Sequence, residues 1–251
     1  MAVEALEKSK VDFSYEIIVV DNHSHDEESL MFLERAHHEK RIILIKSSKN
    51  IGFGRANNLG ASQSSGKYVF FHNPDLTVHE DTLQKMVDYM EHHQDIAILG
   101  PKLMYSSGKV QDSCRRHMSF FDLVLNRTFL GRLPFFKSRV NKYLMEDFDH
   151  SKIQDVDLLT GAAMLMPKKV FDEVGGFDKR YFLFMEDFDL CQMVRKAGYR
   201  VVYYPEAVAE HYHKRLSRGH LLKLLTRKVF WHHIASAIRY FWKWRGARLR
   251  H

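Results

Sequence analysis

Short apolar runs that end on polar residues alternate with helical patterns along the first 93 residues, and this alternation limits the possible folds more than any other feature. The sequence predicts strands over Tyr15–Val20, residues 41–47 and Tyr68–Phe71, with helices around Glu27–His38 and over residues 79–93. Strands that alternate with helices are typical of a parallel sheet covered by helices. Since 251 residues can bury a large core, we expect one α/β domain with a mostly parallel sheet.

The strand pattern over Tyr68–Phe71 stops at the sequence HNPD, residues 72–75. Proline has no N–H to donate to a neighbouring strand, so the strand is expected to end before Pro74. Asn73 and Asp75 then lie at the carboxyl end of a strand, where open α/β sheets bind their ligands.

Acidic and amide side chains recur at comparable positions along the chain. They are Asp21 after the first strand, Asn73 with Asp75, and Glu186, Asp187 and Asp189 before a predicted helix, with His211 after the last strand pattern. Carboxylates with one histidine suit a divalent cation, and so few protein ligands leave room for phosphate oxygens and water. These positions therefore indicate a site for a metal ion and a diphosphate.

Each cluster also has an ordinary structural explanation. Asp21 can form an Asx turn, residues 73–75 can cap a helix, and the acids of residues 186–189 can favour the first turn of a helix. Each explanation is sufficient for its own cluster. The location of all three at equivalent ends of one predicted sheet favours a shared site.

The segment GFGRANNLG, residues 52–60, resembles part of a dinucleotide-binding fingerprint. Gly52 and Gly54 match its first two glycines, and Asp75 follows at about the expected spacing of 20 residues. The third glycine position is Asn57, and the glycines lie several residues beyond the strand. The match is incomplete, and an NAD-dependent oxidoreductase is kept as one alternative.

The charge of the chain is concentrated at its C-terminal end. The formal net charge is +7, and nine Lys and Arg residues with no acidic residue lie from Arg218 onward, which leaves −2 for residues 1–217. The two cysteines, Cys114 and Cys191, are too far apart for a metal knuckle and too few for a disulfide framework, so a reducing cytoplasmic setting fits. We expect an α/β domain over residues 1–217 and a basic helical tail over residues 218–251.

The tail combines basic residues with apolar residues at helical spacing. The apolar positions are Leu221, Leu225, Val229, Ile234, Ile238, Phe241 and Trp242. They can pack on the α/β domain, or they can form an amphipathic surface that an anionic membrane attracts. Nucleic acid is a third partner that a basic aromatic segment can bind, but no nucleic-acid motif accompanies this one.

Six features occur in a fixed order from about Ala5 to Tyr212. They are YEIIVVDNHSHDEES (15–29), NIGFGRANNLGA (50–61), GKYVFFHNPDLTV (66–78), LLTGAAMLM (158–166), GGFDKRYFLFMEDFDLCQMVRKAGYRVVYYPEA (175–207) and His211. This series resembles the family 2 glycosyltransferases of GT-A fold, especially the rhamnosyltransferase-like members that assemble cell-surface polysaccharides. The resemblance covers nearly the whole chain, and the order of the motifs makes it specific.

The resemblance implies a role for each residue that matches a family motif. Asp187 matches the general base and Asp75 and His211 match metal ligands, while Asp21, Gly52, Asn58, Asn73, Gly161, Ala162 and Glu186 match substrate-binding positions. Asn73 stands where the family motif has its first acid. The implied cofactor is Mg²⁺ or Mn²⁺.

The implied activity is sugar transfer, with rhamnose favoured, from a nucleotide-diphosphate donor to a lipid-linked or polysaccharide acceptor. A metal ion neutralises the leaving diphosphate, and a carboxylate such as Asp187 deprotonates the acceptor hydroxyl, so one base implies direct displacement with inversion. The expected location is the inner face of the plasma membrane, as a peripheral protein that binds no nucleic acid.

The sequence departs from the family pattern at its start. The family has an apolar strand before the helix that matches AVEALEKSK, residues 2–10, and Met1 stands where that strand should have ended. The resemblance therefore predicts an N-terminally truncated member, and a non-catalytic protein that binds nucleotide sugars is the second alternative.

Overall fold

The computed structural model of the chain describes residues 2–116, 119–127, 133–145, 148–212 and 228–245. The helices are α1 (Ala2–Glu7), α2 (Glu27–His38), α3 (Phe53–Gln63), α4 (Thr82–Glu91), α5 (Phe120–Arg127), α6 (Pro134–Leu144), α7 (Lys168–Glu173), α8 (Glu186–Lys196) and α9 (Lys228–Trp244). The strands are β1 (Ile18–Asp21), β2 (Ile43–Lys46), β3 (Tyr68–His72), β4 (Leu76–Val78), β5 (Ile96–Met104), β6 (Cys114–Arg115), β7 (Gln154–Asp155), β8 (Leu158–Leu159), β9 (Ala163–Pro167) and β10 (Arg200–His211). The predicted α/β class is confirmed.

The central sheet has the strand order β3-β9-β5-β10-β4, with β7 paired to β10. β5 and β10 are parallel, whereas β9 is antiparallel to both β3 and β5, and β4 and β7 are antiparallel to β10. The sheet is therefore mixed, although alternating strands and helices predict a mainly parallel one. β4 departs from that pattern because it follows β3 without an intervening helix.

β1 and β2 form a separate parallel pair. The pair contacts α3, where a Cβ at Gly60 would lie 3.2 Å from Cγ2 of Val20. Within the described residues, β1 pairs along one edge only, and Ile18 and Val20 are half-buried. The expected truncation before Met1 stays a prediction.

The apolar face predicted for the helix over residues 79–93 packs as expected. Leu83, Met86 and Met90 of α4 are buried, and Val87 packs beside the cluster that includes Ile96, Leu99 and Val202 in β5 and β10. Burial of this face stabilises the sheet because each large aliphatic side chain removed from water contributes about 1.5–3 kcal/mol. The two long parallel strands thereby form a rigid base for the loops at their ends.

The helix α9 packs on α8 with a face different from the one that the sequence suggests. Ala237 and Tyr240 are buried, whereas Ile234 and Ile238 of the predicted apolar stripe are exposed. The proposed domain boundary between residues 217 and 218 lies outside the described residues. The described helix contacts the α/β domain directly, and no helix of the described residues is both long and apolar enough to span a bilayer.

Candidate active site

The turn between β3 and β4 lies against the end of β10. Nε2 of His211 is 3.2 Å from Oδ1 of Asp75, although the two residues are 136 positions apart in the chain. The backbone carbonyl of Asp75 also accepts a hydrogen bond from the N–H of Tyr212 at 2.8 Å. His211 is buried, while the Asp75 side chain is 44% exposed, so the pair is open to a ligand from one side.

Gln111 determines how the His211 ring can act. Its Oε1 is 3.0 Å from Nδ1 of His211, and an amide oxygen only accepts hydrogen bonds. With Nδ1 as the donor, the lone pair of a neutral ring lies on Nε2, on the side of Asp75. A histidine that ligates a metal is commonly oriented in this way.

The donor set of Asp75 and His211 fits a divalent cation. One carboxylate and one imidazole nitrogen suit Mn²⁺, and a carboxylate with phosphate oxygens suits Mg²⁺. The described residues contain no group of three or more His, Cys, Asp or Glu that could hold a metal ion. A cation bound here would therefore take its remaining ligands from the substrate and water.

The loop between β8 and β9 connects the metal-ligand candidates with the acidic segment of α8. The carbonyl of Ala162 accepts the N–H of Asn73 at 2.9 Å. The N–H of the preceding residue, Gly161, donates to Oδ2 of Asp187 at 2.9 Å. A Cβ at Gly161 would lie 3.0 Å from Cβ of Asp187, so the glycine permits this close approach. Four of the predicted site residues thus lie in one hydrogen-bonded region.

Asp187 is a half-buried carboxylate at the start of α8. Its Oδ1 accepts the N–H of Phe188 at 2.8 Å, while Gly161 bonds the other oxygen. Burial raises the pKa of Asp187, and the hydrogen bonds oppose that increase. A carboxylate with a raised pKa is a stronger base than an exposed one, which suits the removal of a proton from a hydroxyl group.

Glu186 is more deeply buried than Asp187. Burial, and to a smaller extent the neighbouring Asp187 charge, raise the pKa of Glu186 to about 8. Its Oε2 is buried and has no hydrogen-bond partner among the described residues. Adjacent carboxyl groups disfavour simultaneous ionisation, so a protonated Glu186 allows Asp187 to carry the negative charge.

Replacement of Glu186 by Gln is expected to change the pH dependence of stability. A carboxyl whose pKa is higher in the folded chain holds its proton more strongly there, so the free energy of unfolding falls as pH rises from about 4.5 to about 8. Urea unfolding from pH 4 to 9 should show wild type losing stability relative to Glu186→Gln across this window. Glu28→Gln, at an exposed position on α2, is the control. A constant difference between wild type and Glu186→Gln would contradict the prediction.

The backbone before α8 is in an unusual conformation. Phe184 and Met185 have φ angles of 69° and 70°, in the left-handed region that side chains with a Cβ disfavour. The preceding residues are held by backbone contacts: the N–H of Phe53 donates to the carbonyl of Phe182 at 3.0 Å. Such strained conformations persist only where the surrounding structure holds them in place. They cluster at functional sites.

Gly52 permits the contact between α3 and this strained segment. Its φ is 87°, and an added Cβ would lie 2.3 Å from the carbonyl oxygen of Phe182. The side chain of Asn22 contributes to the same turn, since its Oδ1 accepts the N–H of Ile51 at 2.8 Å. Asp21 is buried beside it at the end of β1, and its Oδ1 accepts the N–H of Ser24 at 3.0 Å. The hydrogen bond between Asn22 and Ile51 thus brings the end of β1, with Asp21, close to Gly52 at the start of α3.

Gly52→Ala is expected to destabilise the protein more than Gly108→Ala does. Both glycines have a positive φ, but a Cβ at Gly108 would meet nothing within 4 Å. The left-handed conformation costs alanine about 1–2 kcal/mol at either position, and the backbone clash at Gly52 adds about 1–3 kcal/mol. Urea unfolding measures both values. Equal losses of stability would show that the Phe182 segment moves away at little cost.

Asn58 contacts the backbone on the far side of α3. Its Nδ2 donates to the carbonyl of Phe177 at 2.7 Å, and its Oδ1 accepts the Phe177 N–H at 2.9 Å. These bonds connect α3 to the loop before residue 181. The geometry assigns Asn58 a structural link, and its predicted contact with substrate stays a prediction.

Asp189 does not join the other acids of its cluster. It is fully buried, and it accepts hydrogen bonds from Trp244 at 2.7 Å and from Tyr181 at 3.2 Å. Lys243 forms an ion pair with its other oxygen at 2.6 Å. The expectation that Asp189 contributes to a site for a metal ion and a diphosphate is therefore wrong, because this side chain connects α8 to α9.

Sequence reasoning missed two polar residues at the site. Gln111 orients His211, and Arg115 lies near enough to Asp187 for its positive charge to lower the Asp187 pKa. Neither belongs to a recognisable motif. The one signal in the sequence is that Gln111 is a polar residue shortly before β6. Its partner, His211, lies 100 positions later in the chain.

Comparison with known families agrees with this geometry. The model described as Glycosyl transferase family 2 matches residues 3–175, which is more than half of the chain. The chain belongs to glycosyl transferase family 2. A second model, Glycosyl transferase family 21, matches residues 149–240. Family 2 membership removes the basis for an NAD-dependent oxidoreductase.

Curated relatives of this family 2 chain include two rhamnosyltransferases. The N-acetylglucosaminyl-diphospho-decaprenol L-rhamnosyltransferase of Mycobacterium tuberculosis (strain ATCC 25618 / H37Rv) is 29% identical over 217 residues, which cover 81% of this chain and 68% of the relative. Rhamnosyltransferase WbbL of Escherichia coli (strain K12) is 28% identical over 237 residues, which cover 91% of this chain and 83% of the relative. The resemblance to rhamnosyltransferases is thereby confirmed.

Solved structures show the same fold. GalNAc-T7 with UDP, GalNAc and Mn²⁺ superposes with a TM-score of 0.70 at 14% identity, over 98% of this chain and 45% of the neighbour. The mannosyltransferase PcManGT from Pyrobaculum calidifontis, in complex with GDP-Man and Mn²⁺, has a TM-score of 0.60 at 16% identity, over 99% of this chain and 60% of the neighbour. The chain thus spans about half the length of these neighbours, and its fold is GT-A.

Proposed function

We propose that this family 2 protein is an inverting glycosyltransferase that moves rhamnose from a nucleotide-diphosphate donor to a lipid-linked or polysaccharide acceptor. One observation carries the proposal: a single loop, residues 160–162, hydrogen-bonds both Asn73 beside the Asp75–His211 pair and the carboxylate of Asp187. A donor diphosphate and an acceptor hydroxyl bound at these two places would be neighbours.

Asp187 acts on the acceptor. Its carboxylate takes the proton of the attacking hydroxyl as the new glycosidic bond forms at the anomeric carbon and the bond to the diphosphate breaks. The site offers one carboxylate base that is held by backbone N–H groups, and attack opposite to the leaving group inverts the anomeric configuration. Glu186, kept protonated by burial, lies beside this base and shapes its pocket.

The donor lies on the side of Asp75 and His211. These two residues would hold a divalent cation, which when bound neutralises charge on the leaving diphosphate. Asp21 binds the nucleoside from the end of β1, while Gly52 allows the α3 N-terminus to lie near it. Asn73 and Gly161 line the space between donor and acceptor. This arrangement implies metal-dependent donor binding.

The relatives support the choice of sugar and acceptor. The alignments with this chain cover at least two thirds of the length of both curated rhamnosyltransferases. One of the two is named for a diphospho-decaprenol acceptor that carries N-acetylglucosamine. A polyprenol-linked acceptor lies in a membrane. We therefore place the protein at the cytoplasmic face of the plasma membrane, as a peripheral protein.

The test combines donor binding with product analysis. The full chain is incubated with a nucleotide-diphosphate rhamnose and a polyprenyl diphosphate that carries N-acetylglucosamine, with Mn²⁺, Mg²⁺ or EDTA. We expect a rhamnosylated lipid of inverted anomeric configuration by NMR, formed only with metal. Donor binding without transfer to any glycan acceptor would support the non-catalytic alternative, and retention of configuration would overturn the mechanism.

A further inference from the structure

The helix α9 has two apolar faces, and among the described residues the α/β domain covers only one of them. Ser236, Ala237 and Tyr240 are buried against α8 and the segment before it. The opposite face consists of large exposed side chains at a spacing of three or four residues. They are Trp231, Ile234, Ile238 and Trp242, with exposed fractions of 58%, 37%, 59% and 67%. A helix that is apolar on both faces normally has a partner on each.

The uncovered face continues onto α5 and α6. Phe120 of α5 is exposed and packs edge to face against Phe241 of α9, with ring centroids 5.5 Å apart. Phe121 is also exposed and packs against Phe136 of α6, whose neighbour Phe135 is 87% exposed. We call these exposed residues the aromatic surface. Its members are Phe120, Phe121, Phe135, Trp231, Ile234, Ile238 and Trp242.

This surface concentrates exposed apolar side chains in one part of the molecule. Thirteen large hydrophobic residues are exposed among the described residues, and the aromatic surface accounts for seven of them. The others are scattered over different elements, which is normal for a protein surface. A concentration of this kind marks an interaction site.

Apart from Asp122, the charged residues of α5, α6 and α9 are all basic. Residues 228–245 contain no acidic residue, and Asp122 is the only acid between residues 119 and 145. Asp122 is buried and forms an ion pair with Arg139. Exposed basic residues remain on these helices, and in the described part of the chain none of them is paired with a carboxylate. They are Lys137, Lys142, Arg239 and Arg245.

An anionic bilayer fits this combination better than a second copy of the chain does. Two copies joined through this surface would bring like charges together, whereas anionic headgroups attract them. Tryptophan is favoured at the boundary between headgroups and acyl chains, and Arg245 lies 3.5 Å from the centre of the Trp242 ring, where its charge can reach headgroups. We propose that the aromatic surface of α5, α6 and α9 docks this protein onto an anionic lipid bilayer.

Docking through α9 would hold the candidate active site close to the bilayer. His232 of α9 stacks on Phe182 with ring centroids 4.3 Å apart, and Oγ of Ser236 donates to the carbonyl of Leu183 at 2.9 Å. These contacts lie immediately before the strained turn and Asp187. The value of this arrangement for a lipid-linked acceptor rests on the proposed function, but the docking surface itself does not.

The test measures binding of the full chain to lipid vesicles by flotation. Vesicles that contain phosphatidylglycerol are compared with vesicles of phosphatidylcholine, at low and high salt. We expect binding to the anionic vesicles that falls at least tenfold between 50 mM and 500 mM salt. The expected loss is also at least tenfold for the double variant Ile238→Ser/Trp242→Ser, and severalfold for the charge reversal Arg239→Glu, which removes no apolar contact.

Met31→Ser is the matched control, because Met31 is 71% exposed on α2, outside the aromatic surface. It should bind vesicles as wild type does. Metal-dependent donor binding in solution should be the same in all variants, so a failure of the proposed function would not be mistaken for a failure of docking. Equal vesicle binding by all variants would overturn the proposal. Wild-type dimers that dissociate in the double variant, without vesicle binding, would assign the surface to self-association instead.

Discussion

Asp187→Asn is expected to lower the rate of sugar transfer by roughly 10²- to 10⁴-fold while donor binding stays nearly unchanged. The amide cannot accept the proton of the acceptor hydroxyl. In the wild-type chain, the N–H groups of Gly161 and Phe188 each donate to one carboxylate oxygen of Asp187. In the variant, the amide NH₂ group faces one of these two donors. Single-turnover rates and donor titrations of the same preparation measure the two effects separately.

Three further measurements identify the cause of the Asp187→Asn loss. The exposed Asp172→Asn, on α7, should transfer sugar at the wild-type rate. Since burial raises the pKa of Asp187, the wild-type rate should increase with pH until this carboxyl is deprotonated, and the small residual rate of the variant should lack that increase. Urea unfolding should show a folded variant. A donor affinity that falls as much as the rate would instead assign Asp187 to donor binding.

His211→Ala is expected to abolish the metal dependence of nucleoside-diphosphate binding. The substitution removes the only imidazole of the proposed cation site and leaves Asp75 as a single protein ligand. Gln111→Leu should weaken metal-dependent binding about 10- to 100-fold, because Nδ1 of His211 loses the acceptor that orients the ring. Calorimetric titrations with Mn²⁺ and with EDTA measure both effects.

His92→Ala is the control for these titrations, since His92 is exposed directly after α4. It should bind nucleoside diphosphate as wild type does, with and without metal. The graded result matters more than any single variant: a large effect at His211 with a smaller one at Gln111 is the pattern of a ligand and the residue that orients it. Unchanged metal dependence in His211→Ala would remove this residue from the cation site.

Much of the fold could be predicted because its signals are local. The alternation of strands and helices predicts the α/β class, and Pro74 places the end of β3 within one residue of its observed end at His72. The helix predicted around Glu27–His38 is observed as α2 over Glu27–His38. Hydrophobic periodicity and turn residues act over a few positions, so they are readable without the rest of the chain.

Strand direction could not be predicted in the same way. β9 lies between β3 and β5 and is antiparallel to both. About 60 residues separate β9 from β5 in the chain. Pairing over such distances depends on which apolar faces fit together, and one strand pattern is compatible with either direction. The same reason explains α9: its periodicity indicates a helix, but the choice of buried face depends on Asp189 and Tyr240.

By itself, the sequence determined the kinds of elements, the family and the residue types at the candidate site, because motifs and periodicity are properties of neighbouring residues. Only the tertiary structure decided which of those residues meet. It brings His211 to Asp75, joins Gly161 to Asp187, and removes Asp189 from the site by burying it against α9. These contacts join residues between 26 and 136 positions apart, and chain folding alone creates such proximity.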